Sequence, residues 1–123
     1  MKGPALNYRS PVNVSAVVCT RDRAAALRRG LASFLELNLD GAVFELVVVD
    51  NGSADETASV ITGFAAQAPF PVRLVAEPEP GLSRARNCGL RHAIGDLILM
   101  TDDDCYVQPE WVQARAAWCR DQG

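Results

Sequence analysis

The 123-residue chain has a single histidine, His92, and four scattered cysteines, Cys19, Cys88, Cys105 and Cys119, with no CxxC pair. That donor set argues against a zinc site, which gathers cysteine and histidine ligands at short spacing. Nothing in the cysteine spacing resembles a secreted disulfide scaffold, so reduced thiols and a cytoplasmic location are expected. No apolar run approaches the roughly 20 residues that span a bilayer. The leading segment MKGPALNYRSP lacks the apolar stretch of a signal peptide. Charge of one sign is missing as well. The net charge is −3 with both signs interspersed, which leaves no basic surface of the kind nucleic acid demands. A slightly acidic chain that handles an anionic nucleotide must supply its positive charge locally or through a metal ion.

Two motifs are also absent after the first apolar run. The loop there, Thr20-Arg21-Asp22-Arg23, contains no glycine, so the GxGxxG fingerprint of a dinucleotide-dependent oxidoreductase is excluded. The same loop lacks the acidic pair that a phosphoryl-accepting receiver domain requires at this place. There is no internal repeat and no low-complexity tract.

What is present is an alternation of two kinds of segment, in a chain that is 49% hydrophobic and long enough to bury a core. After a leader, 1–11, the run Val12–Cys19 is short, apolar and β-branched, as a buried parallel strand should be. Leu27, Leu31, Phe34 and Leu35 recur at helical spacing between Arg23 and about Leu37. Phe44–Val49 reads as a second strand ending at Asp50-Asn51-Gly52-Ser53. Ser53 and Glu56 have the form of a capping box that opens a helix to about Gln67. Val72–Ala76 is a third strand and Ser83–Ala93 a third helix, with Gly95 as its stop. Leu97–Thr101 is a fourth strand that runs into Asp102-Asp103-Asp104, and Pro109 suits the first position of a last helix. The order βαβαβαβα predicts a doubly wound, mostly parallel α/β sheet with helices on both faces, forming one domain over 12–123.

In such sheets ligands bind beyond the C-terminal strand ends, and polar side chains collect at those ends here. Three consecutive aspartates repel one another unless a cation neutralises them. Their hard oxygen donors suit Mg²⁺ or Mn²⁺ together with substrate phosphates. A helix N-terminal cap would need only one of the three. Asp50 can either turn the chain or accept a hydrogen bond from a base or ribose. Arg84 and Arg86 stand in the first turn of a helix, where the dipole disfavours cations unless an anion lies close by.

VSAVVCTRDR, VVVDNGSADET, EPGLSRARNCGL with GDLILMTDDD, and DDDCYVQPEWV resemble four stretches of the family 2 glycosyltransferases, of GT-A type, in the family's order and spacing. The family's usual forms of the first two are VSVVIPTYNR and VDDGSTDET. Cys19 and Arg21 depart from the commoner proline and tyrosine. The resemblance implies an α/β nucleotide-sugar-binding half that takes a UDP- or GDP-linked sugar with Mn²⁺ or Mg²⁺. It implies transfer of that sugar to an acceptor hydroxyl. By the same analogy Thr20 and Asp50 contact the base, Arg84 lies near the base or diphosphate, and Asp103 contacts ribose. Asp102 and Asp104 supply the DxD carboxylates, Asp104 as direct metal ligand. With Asp22, Arg23 and Ser53 from the same strand ends, these form the candidate site. The acceptor half and the general base are expected to follow Gly123, so the catalytic residue stays unassigned. A non-catalytic nucleotide-binding module is the alternative. The last helix carries Trp111 and Trp118 with little chain after it, so an exposed apolar face and a two-fold homo-oligomer are expected.

Overall fold

Four β-branched, apolar segments pair in parallel because each is followed by a helix that returns the chain to the same end of the sheet. In the computed structural model, which describes residues 13–122, the strands are β1 (Asn13–Thr20), β2 (Val43–Asp50), β3 (Val72–Ala76) and β4 (Leu97–Asp102). The helices are α1 (Ala24–Ala32), α2 (Thr57–Gln67), α3 (Leu82–His92) and α4 (Trp111–Gln122). The sheet order is β3-β2-β1-β4, with every pair parallel. The chain thus steps outward on one side of β1 and then returns to the other. That reversal puts a topological switch point between β1 and β4, where open α/β sheets place their ligands.

The pleat divides the core. Val14, Ala16 and Val18 of β1, with Leu46 and Val48 of β2, pack beneath Leu27 and Leu31 of α1, Ile61 of α2 and Val112 of α4. Val17, Val47 and Val49 face the opposite way, against Ala85 and Cys88 of α3. Full burial of a Leu or Ile such as Leu27 or Ile61, each 0% exposed, contributes about 2 kcal/mol. On the α3 face the helix comes so near the sheet that a methyl group at Gly89 would overlap Val17 Cγ1 and sit 3.3 Å from Val49 Cγ2.

Several expected boundaries move, each for a local reason. The leader 1–11 and Val12 lie outside the described residues, as does Gly123. The helix expected from Arg23 to Leu37 is divided: α1 stops at Ala32 and a short 3-10 helix covers Ser33–Glu36. The Ser53–Glu56 capping box does not form. Ser53 Oγ instead accepts a hydrogen bond from Asp22 N (2.9 Å), and α2 begins at Thr57 with the Asp55 carboxylate taking Thr57 N (3.0 Å) and the Thr57 hydroxyl. Asp55 also accepts from Ala24 N (3.2 Å), so one carboxylate serves the starts of both α1 and α2. The hydrogen bond from the Thr57 hydroxyl, helped by these amides, holds the Asp55 carboxyl below its ordinary value. Gly95 does not stop α3, which ends at an extended Ala93. Its role is close approach, since a side chain there would meet Ser15 N at 2.7 Å. Pro109 precedes the last helix by two residues, and its carbonyl accepts Asn38 N (2.9 Å).

At the N-terminal edge of the sheet a buried glutamate joins three elements. Ser15 Oγ donates to Glu45 Oε2 at 2.5 Å and Ile94 N donates to the same oxygen at 2.9 Å. Arg73 donates to Oε1 through Nε (3.1 Å) and Nη2 (2.9 Å). Burial pushes the carboxyl upward, but the bonds from Ser15, Ile94 and Arg73 outweigh it and hold Glu45 below its ordinary value. The folded protein therefore binds this proton less readily than the unfolded chain. The stabilisation is complete above the unfolded value of about 4.3 and is lost as pH falls through the lowered folded value. Glu45→Gln is expected to cost about 2 kcal/mol in urea unfolding at pH 7, with the difference from the parent narrowing towards pH 3. An equal loss at both pH values would contradict the assignment.

Candidate functional site

Strand register brings the candidate residues level before any side chain is considered. Thr20 at the end of β1 pairs with Asp50 of β2, and Cys19 pairs with Asp102 of β4. Around these ends lies a cavity of about 480 Å³, whose lining includes Thr20, Arg23, Asn51, Leu82 and all three aspartates. A second recess of about 240 Å³ adjoins it, bounded by Cys19, Arg86, Asp102 and Cys105 among others.

The three aspartates are treated differently by the fold. Asp103 is buried at 6% exposure. Thr20 Oγ1 donates to its Oδ2 at 2.9 Å, and Arg23 Nη1 donates to its Oδ1 at 3.1 Å. Asp102 and Asp104 are exposed. Ligand atoms of Asp102, Asp104 and Cys105 lie within 4.8 Å of one another, a set that could surround one cation. Two carboxylates at this spacing, open to water and to phosphate oxygens, fit a hard divalent ion. Arg23 reaches across with Nη2 3.3 Å from Asp104 Oδ2, so it partly offsets the acidic cluster.

The loops after β1 and β2 are laced to each other. Asp22 sits at φ 53, a left-handed conformation unusual for a residue with a side chain. It is held there because its Oδ1 accepts Ala54 N (2.6 Å) and Asp55 N (3.3 Å), while its own amide donates to Ser53. Asp50 Oδ1 accepts Ser53 N at 3.0 Å, and Gly52 at φ 78 completes the turn. The structure thus gathers Thr20, Arg23, Asp102, Asp103 and Asp104 around one cavity. Asp22, Asp50 and Ser53 stand beside it, bonded to one another's loops. Arg84 is exposed and outside the cavity lining.

Of the two arginines noted on α3 the resemblance chose Arg84, and one further contributor, Asn51, was not singled out from sequence. Arg86, rather than Arg84, lines the recess next to Asp102. The inward spacing of Ala85, Cys88 and Gly89 carries the signal, since it fixes which side of α3 meets the sheet. Asn51 reads as a turn residue, yet it is buried, and its Nδ2 donates to the carbonyls of Glu77 and Glu79 (2.8 Å each) while Oδ1 accepts Gly81 N (3.0 Å). It therefore fixes the approach to α3 against the cavity. Cys19, on the wall, is held as a neutral thiol: burial pushes its pKa up to about 11 despite Arg86 nearby.

Fold and site together define a doubly wound, parallel α/β domain with a paired-carboxylate edge at its switch point. The model of the family described as "Glycosyl transferase family 2" matches residues 15–122, and the chain belongs to that family. Mannosyltransferase PcManGT from Pyrobaculum calidifontis, solved in complex with GDP-Man and Mn²⁺, is 31% identical with a TM-score of 0.73. That match covers 88% of this chain and 32% of PcManGT. Staphylococcus aureus TarS 1–349, solved in complex with UDP-GlcNAc, is 25% identical with a TM-score of 0.75, covering 89% of this chain and 31% of the other. Succinoglycan biosynthesis protein ExoM of Rhizobium meliloti is 29% identical over 102 residues, 82% of this chain and 33% of ExoM. The chain spans about a third of the length of these relatives.

Proposed function

We propose that this chain is the nucleotide-sugar-binding part of a family 2 glycosyltransferase and holds a UDP- or GDP-linked sugar with Mn²⁺ or Mg²⁺. The observation that carries the reading is the convergence of Asp102 and Asp104 beside the cavity at the β1/β4 switch point. The GDP-Man, UDP-GlcNAc and Mn²⁺ complexes of the similar proteins support it. In this reading Asp102 and Asp104 form the DxD pair, with Asp104 as direct ligand. Asp50 and Ser53 border the base and ribose, Asp22 holds their loops, and the buried Thr20 backs the cavity wall through its hydrogen bond to Asp103. Arg23 and Arg86 supply positive charge toward the diphosphate, whereas Arg84 lies outside the cavity lining. A divalent cation held by Asp102 and Asp104 would supply the positive charge that offsets the negative charge growing on the departing diphosphate. The bond from the anomeric carbon to the diphosphate breaks, and a bond to an acceptor oxygen forms. The acceptor proton passes to a base for which no residue of this chain is assigned.

No helix of the described residues is long and apolar enough to cross a membrane. The four cysteines are free, which supports a cytoplasmic location as part of the proposal. Calorimetry with UDP and GDP, with and without Mn²⁺, tests the binding. The expected result is metal-dependent affinity that Asp104→Ala lowers at least tenfold. Metal-independent binding, or unchanged binding in that variant, would sink the metal assignment. Binding without sugar transfer by a chain extended through the acceptor half would favour the non-catalytic module. Asp50→Ala is expected to weaken nucleotide binding while costing only about 1 kcal/mol of stability. If the variant unfolds instead, Asp50 belongs to the scaffold.

The two-fold association is also proposed, through α4. Trp111 packs edge-on against Phe34 with ring centroids 6.0 Å apart, whereas Trp118 is 59% exposed. Light scattering over a concentration series should show the monomer mass doubling, and Trp118→Ser should abolish the effect. A constant monomer mass would remove this part.

A further inference from the structure

The middle carboxylate of the acidic run presents a puzzle of solvation. Asp103 lies between two exposed neighbours, yet it is itself 6% exposed, and its hydrogen-bond partner Thr20 is 3% exposed. A buried carboxylate is costly unless paired and hydrogen-bonded. Each oxygen of Asp103 has a protein donor, Thr20 Oγ1 at 2.9 Å on one side and Arg23 Nη1 at 3.1 Å on the other. Little surface remains for a ribose hydroxyl or a metal ion to approach.

The backbone around Asp103 is held as well. Its carbonyl lies directly on α1, so that a methyl group on Gly30 would come within 2.7 Å of it. Asp102 O accepts Cys105 N at 3.3 Å and closes the turn. Ser33 Oγ donates to Gly30 O (2.7 Å) and accepts Val107 N (3.0 Å), tying the far end of the loop to the last turn of α1. Side chain and backbone of residue 103 therefore fasten the same short segment to β1 and α1 from two directions.

We infer that Asp103 is a positioning residue: its buried carboxylate latches the acidic loop to Thr20 and Arg23 and so holds Asp102 and Asp104 at the spacing that receives a cation. The inference rests on the metal-and-nucleotide reading above and departs from it for this one residue, which the family resemblance assigns to ribose. In a buried latch the carboxylate fixes geometry that the exposed pair uses. Groups that orient metal ligands in this way typically change affinity by 10- to 100-fold when removed.

Asp103→Ala separates the alternatives through three measurements. Hydrogen exchange of the apo protein reads the loop directly, and amides of residues 102–107 are expected to exchange about tenfold faster than in the parent. Mn²⁺ titration in the presence of UDP or GDP, followed by the electron paramagnetic resonance of free Mn²⁺, is expected to show at least tenfold weaker uptake. Nucleotide affinity without metal, and the penalty for replacing UDP by 2′-deoxy-UDP, should stay as in the parent. Unchanged loop exchange overturns the latch. Loss of the 2′-deoxy penalty also overturns it, because that result places Asp103 on ribose. Failure of the parent protein itself to take up Mn²⁺ with either nucleotide overturns the functional reading instead, and the apo exchange result still decides the latch. If Asp103→Ala does not fold, Thr20→Val removes one donor at nearly constant volume. It must then give the same faster exchange and weaker uptake in smaller degree, and unchanged values would overturn the proposal.

Discussion

Three carboxylates in succession at the end of one strand cannot all face the same small space without a counter-charge. The fold relieves this by separating them. Asp103 turns inward to Thr20 and the Arg23 guanidinium, while Asp102 and Asp104 turn outward beside the cavity. Arg23 also reaches Asp104, so a single side chain touches the buried member of the run and one of its two exposed members.

The sheet makes the arrangement possible. β1 is central, with β2 on one side and β4 on the other, and parallel register sets Thr20 opposite Asp50 and Cys19 opposite Asp102. Connections then tighten the edge. Asp22 and Ser53 lace the first loop to the second, Asn51 draws in the segment before α3, and Ser33 anchors the end of the acidic loop. The opposite edge has its own buried anchor in Glu45, joined to Ser15, Arg73 and Ile94. Polar side chains thus fasten the connections at both edges, while apolar packing fills the two faces between them.

Much of this is written in the sequence at the level of pattern. Four β-branched runs alternating with helical spacing give the α/β class, and the ends of three runs give the place of the site. Ser53 and Gly95 show where pattern stops. Each suits a local rule, a cap and a stop, but each is used in a contact some 30 to 80 residues away, with Asp22 and Ser15. Arg84 and Arg86 are indistinguishable as neighbouring cations, and only the packing of Ala85, Cys88 and Gly89 on the sheet turns one of them toward the acidic side. The burial of Asp103 between two exposed aspartates has no local signature at all, because it depends on β1 standing beside β4.

The most direct test of the account is a crystal structure of this chain grown with UDP or GDP and Mn²⁺, with the metal located by anomalous scattering. The expected result is one strong anomalous peak within coordination distance of Asp104, on the side facing Asp102, with nucleotide density in the adjoining cavity. Asp103 should still rest on Thr20 and Arg23. A peak elsewhere, or a nucleotide bound away from the β1/β4 edge, would contradict the account.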